Sequence, residues 1–453
     1  MAKGADMVRD FRRAADVVAA QIAAGRLRPG DRLPTQRAFA RRHGIAESTA
    51  SRVYAELARR GLVTGEVGRG TFVRAAAPAP DPALAEPASA RVDLELNYPV
   101  TAGQSELLAA GLARLARPDV LAAALRPSAA AGTPAARAAV AGLLAAPGWA
   151  PDPDGVLFAG NGRQAVAAAL AALVRPGGRV GVEALTYPVV KAVAARLGIT
   201  LVPLECDQEG MLPGALLAAH RAAPLGGVYV QPTLHNPLGV TMPGPRRAEL
   251  AAALRETGLS AVEDAIWSFL REDAPPPLAA YAPERVILVD SASKRLAPGL
   301  TAGFAVAPPD LTAPVTAALR SGGWASAGYA LAAVTGWLTD GTATTIAAAK
   351  RADARDRQRI AAHALAGLAT RSDPGSYFCW WELPALWRAD TFVAAAARHG
   401  IAVTPAASFV VGPHRTPAAV RLGLASPPPP VLHKALTTLA ALARTGPDDS
   451  APE

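Results

Sequence analysis

The run Ser291-Ala292-Ser293-Lys294-Arg295-Leu296-Ala297-Pro298-Gly299-Leu300 sits between two short apolar stretches, 286–290 and 302–307. Each stretch has the length and the Val, Ile, Leu and Ala content of a strand buried on both faces. Five similar stretches precede them, at 156–159, 179–182, 199–204, 226–231 and 260–263. Helix-sized segments lie between several of them, notably 163–174, 187–197 and 244–257. That alternation predicts an α/β body with a largely parallel, helix-covered sheet. A lysine in the turn after such a strand, preceded by small hydroxyl residues, can form a Schiff base with an aldehyde, provided its amine is kept neutral.

Working outward, more helices follow residue 310. Three further apolar runs, 376–383, 401–404 and 419–424, then predict a small C-terminal α+β subdomain beginning near 330. Upstream, residues 75–92 are dominated by Ala, Pro, Asp and Glu, the composition of a partly extended linker. The segment before it reads differently again. Val8, Phe11, Ala15, Val18 and Ile22 are spaced for a helix over 8–24. Thr35 is placed to cap a second helix with Phe39 and Ala40 facing inward. After His43-Gly44, a third helix begins at Glu47 or Ser48 and runs to Arg60, burying Val53 and Leu57. Val63-Thr64 and Thr71-Phe72-Val73 flank a glycine-rich tip, which predicts a hairpin. Helix, helix, turn, helix and hairpin make a winged helix-turn-helix over residues 1–74. The body extends over 93–445.

Charge follows the same division. The net charge is +9, and residues 1–74 carry 15 Lys and Arg against 7 Asp and Glu. The remaining 379 residues carry 31 and 30. A compact basic domain beside a neutral body is the electrostatic footprint of a polyanion binder. Two cysteines, Cys206 and Cys379, make neither a disulfide framework nor a metal motif, as expected in a reducing cytoplasm. The first residues lack an apolar signal core. No apolar run approaches the ~18 residues that span a bilayer. Neither a metal site nor a membrane partner is expected.

The third helix of the head is expected to enter the major groove of double-stranded DNA, with Ser48, Thr49 and Arg52 as its exposed candidates. Arg37, on the preceding helix, and Arg69, at the wing tip, are placed for phosphate or a base edge. The run 25–34, Arg37-Ala38-Phe39-Ala40, Val53-Tyr54-Ala55-Glu56-Leu57 and Gly68-Arg69-Gly70-Thr71-Phe72-Val73 together resemble a GntR-type winged helix over residues 8–73. Glu47 departs from that resemblance, which leads one to expect arginine at the start of the recognition helix.

In the body, Gly160-Asn161-Gly162-Arg163-Gln164 follows a strand and opens a helix, where backbone N–H groups favour phosphate. Tyr187 supplies a ring face, Asn236 a side-chain amide, Asp264 a carboxylate at a strand end, and Arg421 a guanidinium. A carboxylate beside a pyridine nitrogen keeps it protonated, an asparagine can donate to a phenolate, and an arginine grips a carboxylate through two parallel bonds. In this order the residues resemble the fold-type I aminotransferases, and the whole chain resembles the MocR-type regulators, a GntR head fused to an aminotransferase-like domain. The resemblance implies pyridoxal 5′-phosphate (PLP) as cofactor, a homodimer, and a small amino compound as effector. Lys294 would form the Schiff base, Asp264 would pair with the pyridine nitrogen, Asn236 would contact the phenolate and Tyr187 would stack. Gly162, Arg163, Gln164 and Ser291 would hold the phosphate, and Arg421 would bind an effector carboxylate.

Three departures count against full transamination. Thr301 stands where a second phosphate-binding arginine is common, Trp267 where a tyrosine is common, and Pro127 where a tyrosine often reaches a neighbouring subunit. Arg295 is the nearest basic replacement. A cytoplasmic, PLP-binding transcription regulator is therefore expected. A body reduced to a dimerisation or ligand module, and an active aminotransferase, are the alternatives.

Overall fold

The structure is a computed structural model that describes residues 11–23, 26–27, 31–60, 62–66, 70–73, 90–412 and 416–445. The chain falls into two compact units, an N-terminal head and a larger body.

The head contains helices α1 (Phe11–Ala23), α2 (Gln36–His43) and α3 (Glu47–Arg59) and strands β1 (Val63–Glu66) and β2 (Gly70–Val73). Thr35 starts α2 as expected, its Oγ1 accepting the Ala38 N–H at 3.2 Å. Such a cap is worth about 1 kcal/mol. Gly44, at φ 63°, ends the helix in the left-handed conformation that glycine adopts without strain. Ala15, Val18, Phe39, Ala40, Val53, Leu57 and Val73 form the core. β1 and β2 pair antiparallel with Val63 opposite Val73. Arg32 bridges to Phe72, so the connector before α2 adds a third edge to the wing. Tyr54 donates its hydroxyl to the Pro34 carbonyl, tying α3 to that connector. Arg60 donates to Asp16 and Glu56, both at 2.8 Å, and clamps α1 onto α3. The wing tip and Arg69 lie outside the described residues.

The body strands are β3 (Val92–Leu94), β4 (Val156–Ala159), β5 (Arg179–Glu183), β6 (Thr200–Leu204), β7 (Cys206–Asp207), β8 (Gly210–Met211), β9 (Gly227–Val230), β10 (Ala261–Asp264), β11 (Val286–Ser291), β12 (Gly303–Val306), β13 (Thr370–Arg371), β14 (Phe378–Glu382), β15 (Ile401–Pro405) and β16 (Ala419–Gly423). Seven form one sheet in the order β4-β12-β11-β10-β9-β5-β6. β6, β5, β9, β10 and β11 run parallel, and β12 is antiparallel to both β11 and β4. The exception has a simple cause. β12 follows β11 after the short Lys294 turn, which lacks the dozen or more residues of a parallel crossover.

Both faces of this sheet are apolar. Ile287 and Val289 meet Val166, Leu170 and Val315 on one side. Val286 and Leu288 meet Leu250, Leu254 and Leu278 on the other. The result is a helix–sheet–helix sandwich in which each buried Val, Leu or Ile contributes about 1.5–3 kcal/mol.

A second sheet has the order β13-β14-β16-β15-β3. Its edge strand β3 pairs parallel with β15, Val92 opposite Ile401. The small subdomain is therefore not purely C-terminal, and Val92 is strand rather than linker. Three residues with a charged one in the middle leave no periodic signal, so this strand is legible only from its partner.

Candidate functional site

On the head, Arg37, Ser48 and Arg52 are exposed. Thr49 is half-buried, contrary to its expected exposure, because it lies one turn before Val53, which is fully buried. Arg41 and Arg42 add two exposed cations in the last turn of α2. Glu47, the departure at the start of α3, forms an exposed ion pair with Arg37 at 3.4 Å. The acidic residue thus holds one of the candidate DNA contacts.

The body's candidates gather at the carboxyl ends of the parallel strands, where ligands bind in open α/β sheets. β4 leads into a helix, Gly162–Leu173, whose cap Asn161 accepts the Gln164 N–H at 3.0 Å. β11 leads into a single turn, Ala292–Arg295. Fully buried Ser291 caps that turn, and its Oγ lies 2.7 Å from Ser293 Oγ. A Cβ at Gly162 would stand 3.3 Å from Ser291 Oγ, so glycine lets the two strand ends meet.

Lys294 projects from that turn. Its Nζ donates to the Asn97 carbonyl at 2.5 Å and lies 5.0 Å and 5.5 Å from the Tyr98 and Trp267 rings. Burial, aided by the positive charges of Arg163 and Arg421, pushes the amine down to about 7. An ordinary lysine titrates at about 10.4. Lys294 is thus far closer to neutral at pH 7 than an ordinary lysine, as a nucleophilic amine requires.

Asp264 ends β10 and is 5% exposed. Its Oδ2 accepts from Tyr229 Oη at 2.7 Å and Gln231 Nε2 at 3.0 Å, and its Oδ1 from the Ile266 N–H at 3.1 Å. Burial raises its carboxyl above the usual range, opposed by these three donors. Gln231 is a hub. Its N–H donates to Glu183 at 2.9 Å, and its Oε1 accepts from the Asn236 N–H at 3.2 Å. Burial pushes Glu183 itself up to about 8. Asn236 is 7% exposed, and its side-chain oxygen has no hydrogen-bond partner.

Tyr187 packs against the sheet core, and Arg163, Asp264 and Arg421 all act electrostatically on its phenol. Arg421, central in the small sheet, donates to Thr404 Oγ1 at 3.0 Å and to the Glu95 carbonyl, while its buried Nε is unpartnered. Burial brings its guanidinium down to about 10. Lys294, Asp264, Asn236, Tyr187, Arg163 and Arg421 therefore come together from six separate parts of the chain.

Arg295 is not the compensating cation. It donates to Asp290 at 2.8 Å and lies over the Phe269 ring at 5.1 Å, with its buried Nε left unpartnered beneath the turn. Thr301 is exposed, and Trp267 belongs to a buried aromatic cluster with Phe269, Tyr377 and Phe378.

Tyr229, Gln231, Glu183 and Lys350 were not expected. Gln231 stands five residues before Asn236 in the run Gln231-Pro232-Thr233-Leu234-His235-Asn236-Pro237, where the prolines mark a turn, which was a usable signal. Tyr229 sits inside an apolar strand, where it reads as core. Lys350 is completely buried and donates to the carbonyls of Lys294, at 2.8 Å, and Leu296, at 2.6 Å. Nothing in its helical surroundings marks it.

Aminotransferase class I and II matches residues 125–439, and the bacterial regulatory proteins of the gntR family match residues 11–73. The chain is 30% identical to the uncharacterized HTH-type transcriptional regulator YdeF of Bacillus subtilis, over 89% of this chain and 87% of that protein. It is 27% identical to the HTH-type pyridoxine biosynthesis transcriptional regulator PdxR of Corynebacterium glutamicum, over 63% of each. Among solved structures it is similar to LysN, an α-aminoadipate aminotransferase of Thermus thermophilus, with a TM-score of 0.70, 24% identity, and coverage of 78% of this chain and 92% of that one. That last likeness concerns the fold.

Proposed function

The chain belongs to the MocR-type transcription regulators, which join a gntR-family head to an aminotransferase class I and II body, and from that premise we propose that it holds PLP and couples a small amino compound to DNA binding. The observation that carries the proposal is the pairing of Lys294, whose amine is brought down to about 7, with Asp264, held by Tyr229, Gln231 and the Ile266 N–H. One is a nucleophile for an aldehyde, the other a partner for a pyridine nitrogen.

The remaining residues fit the same group. Arg421 brings an orphaned buried N–H, a donor that a ligand carboxylate would satisfy. Gly162 leaves the helix N-terminus open beside Ser291. Gly162, Arg163, Gln164 and Ser291 would hold the phosphate, Asn236 the phenolate oxygen and Tyr187 a ring face. Lys294 would hold the aldehyde carbon, and Arg421 the carboxylate of an amino-acid effector. When bound, PLP supplies an electrophilic carbon for amines and an electron-withdrawing ring. The protein's share is to keep Lys294 neutral, to fix Asp264, and to bring Arg421 to the carboxylate. Arg163 is the cation in place to neutralise phosphate, since Arg295 is committed to Asp290.

In the head, Arg37, Ser48, Thr49, Arg52 and Arg69 would contact duplex DNA, with a homodimer presenting two such surfaces. Such a regulator would work in the cytoplasm. No described helix is long and apolar enough to cross a membrane.

The test is the visible spectrum of the purified protein titrated with PLP. The wild type is expected to gain an absorbance band that Lys294→Ala lacks. A wild type that stays silent in excess PLP overturns the cofactor assignment and leaves a ligand or dimerisation module.

A further inference from the structure

Both cations assigned to ligands already hold something. Lys294 Nζ donates to the Asn97 carbonyl, and Arg421 Nη2 donates to the Glu95 carbonyl. The two carbonyls lie two residues apart in one stretch, 93–98, which overlaps the end of β3 and continues past it. Tyr98, at the far end of that stretch, lies with its ring 5.0 Å from the Lys294 amine.

Beyond the pairing of Asp93 and Leu94 with β15, the other bonds of this stretch are few. Asp93 Oδ1 accepts the N–H groups of Glu95 and Leu96, at 2.7 and 3.0 Å. Ser426 Oγ donates to the Leu96 carbonyl at 2.6 Å and accepts the Tyr98 N–H at 3.2 Å. Asn97 Oδ1 accepts the Ala425 N–H at 3.1 Å. The stretch crosses bare backbone at Gly423, where a Cβ would come within 3.0 Å of the Leu94 and Leu96 carbonyls. It is thus a strap laid closely over the end of β16.

The opposite side of Lys294 is anchored. Lys350 holds the carbonyls of Lys294 and Leu296, and the Lys350 carbonyl accepts from Tyr377 Oη at 2.8 Å. The amine can change partner while its backbone stays in place.

We propose that residues 95–98 are a displaceable latch: their carbonyls occupy Lys294 and Arg421, the groups assigned above to the PLP aldehyde and to an effector carboxylate, and ligand binding releases them. The latch rests on the ligand roles proposed above for Lys294 and Arg421. A ligand that draws either cation away strips a carbonyl of its donor, and a buried carbonyl without a donor is unfavourable. The strap then turns toward water. β3 stays paired with β15, so the release is confined to residues 95–98.

Hydrogen–deuterium exchange on the full chain, read on peptides spanning 90–100, tests the latch. Without any ligand, Lys294→Ala is expected to speed exchange of the Glu95–Tyr98 amides about three- to tenfold, the effect of one lost hydrogen bond. Unchanged exchange overturns the latch. Ser426→Ala weakens the strap without touching either cation. Since strap and ligand compete, this variant is expected to bind N-(5′-phosphopyridoxyl)-L-alanine about three- to tenfold more tightly than wild type. Equal or weaker binding overturns the competition. The matching ethylamine conjugate lacks the carboxylate and is expected to gain less. Equal gains remove Arg421 from the latch. If neither conjugate binds and the PLP titration is silent, the cofactor assignment fails and takes the release step with it. The ligand-free exchange still decides whether Lys294 holds the strap.

Discussion

In the head, Arg37 and Glu47 are 77% and 67% exposed along their side chains, and Ser48 and Arg52 face solvent. In the body, Ser291, Asp264, Asn236 and Arg421 are each at most 7% exposed, and each already has hydrogen-bond partners. The contrast follows from the ligands. DNA brings a dense line of negative charge, so the residues that meet it can wait in water and exchange counterions. A small ligand brings few contacts, so its site must be built beforehand from buried groups held in position. Function and stability are therefore separable in the head and entangled in the body.

Asp264→Ala should make that entanglement visible. It strands Tyr229 Oη and Gln231 Nε2 in a buried site, at about 1–3 kcal/mol each. A loss of about 2–4 kcal/mol in denaturant unfolding is expected, together with loss of PLP binding. Stability within about 0.5 kcal/mol of wild type would break the comparison. Arg52→Ala supplies the other half. Stability should stay within about 0.5 kcal/mol, while affinity for a 30-base-pair duplex selected by the wild type should fall about tenfold. Fluorescence anisotropy measures the second, and a large drop in stability would show that Arg52 is structural.

The next effect is on pH. Lys294 has a folded pKa of about 7, lowered from the usual lysine value. Its reactive form is the neutral one, so PLP capture should slow as pH falls through 7 and level off above it. Between pH 8 and pH 6 the neutral fraction drops about tenfold by simple titration around 7. Stopped-flow absorbance would follow it. A midpoint near 10 would mean that water and counter-charges reach the amine.

Legibility in the sequence divides in a related way. All seven strands of the large sheet could be read: most are buried on both faces and keep a short apolar run, while the edge strand β6, with only Leu204 buried, still shows its Leu and Val residues. β3 could not, because three residues around Asp93 carry no period. Lys294, Asp264 and Asn236 could be singled out because each sits at a strand end or beside a turn marked by Gly or Pro, whereas Arg421, in the middle of β16, was singled out by the order of residues that the family resemblance supplied. Their supporting groups could not. Gln231 meets Asp264 across 33 residues, Lys350 meets the Lys294 turn across 56, and Asn97 meets Lys294 across 197. Such contacts are made by folding and leave no local pattern. Arg295 shows the reverse hazard: adjacent to Lys294 in sequence, it turns away to Asp290.

The smallest expected effect is the sharpest probe of the head. Glu47 stands where arginine was expected, and it pairs with Arg37 across the turn between α2 and α3. An exposed pair of this kind contributes about 0–1 kcal/mol, so Glu47→Gln should leave the unfolding midpoint almost unmoved. On DNA the balance differs. The carboxylate repels phosphate and also draws Arg37 toward itself, so removing its charge should tighten binding about two- to fivefold at low salt. The gain should shrink as salt rises, because screening weakens both terms. If Glu47→Gln instead weakens binding to the selected duplex, and does so mainly for sites carrying cytosine at one position, the carboxylate is accepting a hydrogen bond from that base. Glu47 would then be a specificity contact, and the exposed head would share with the buried body a residue whose partner is chosen in advance.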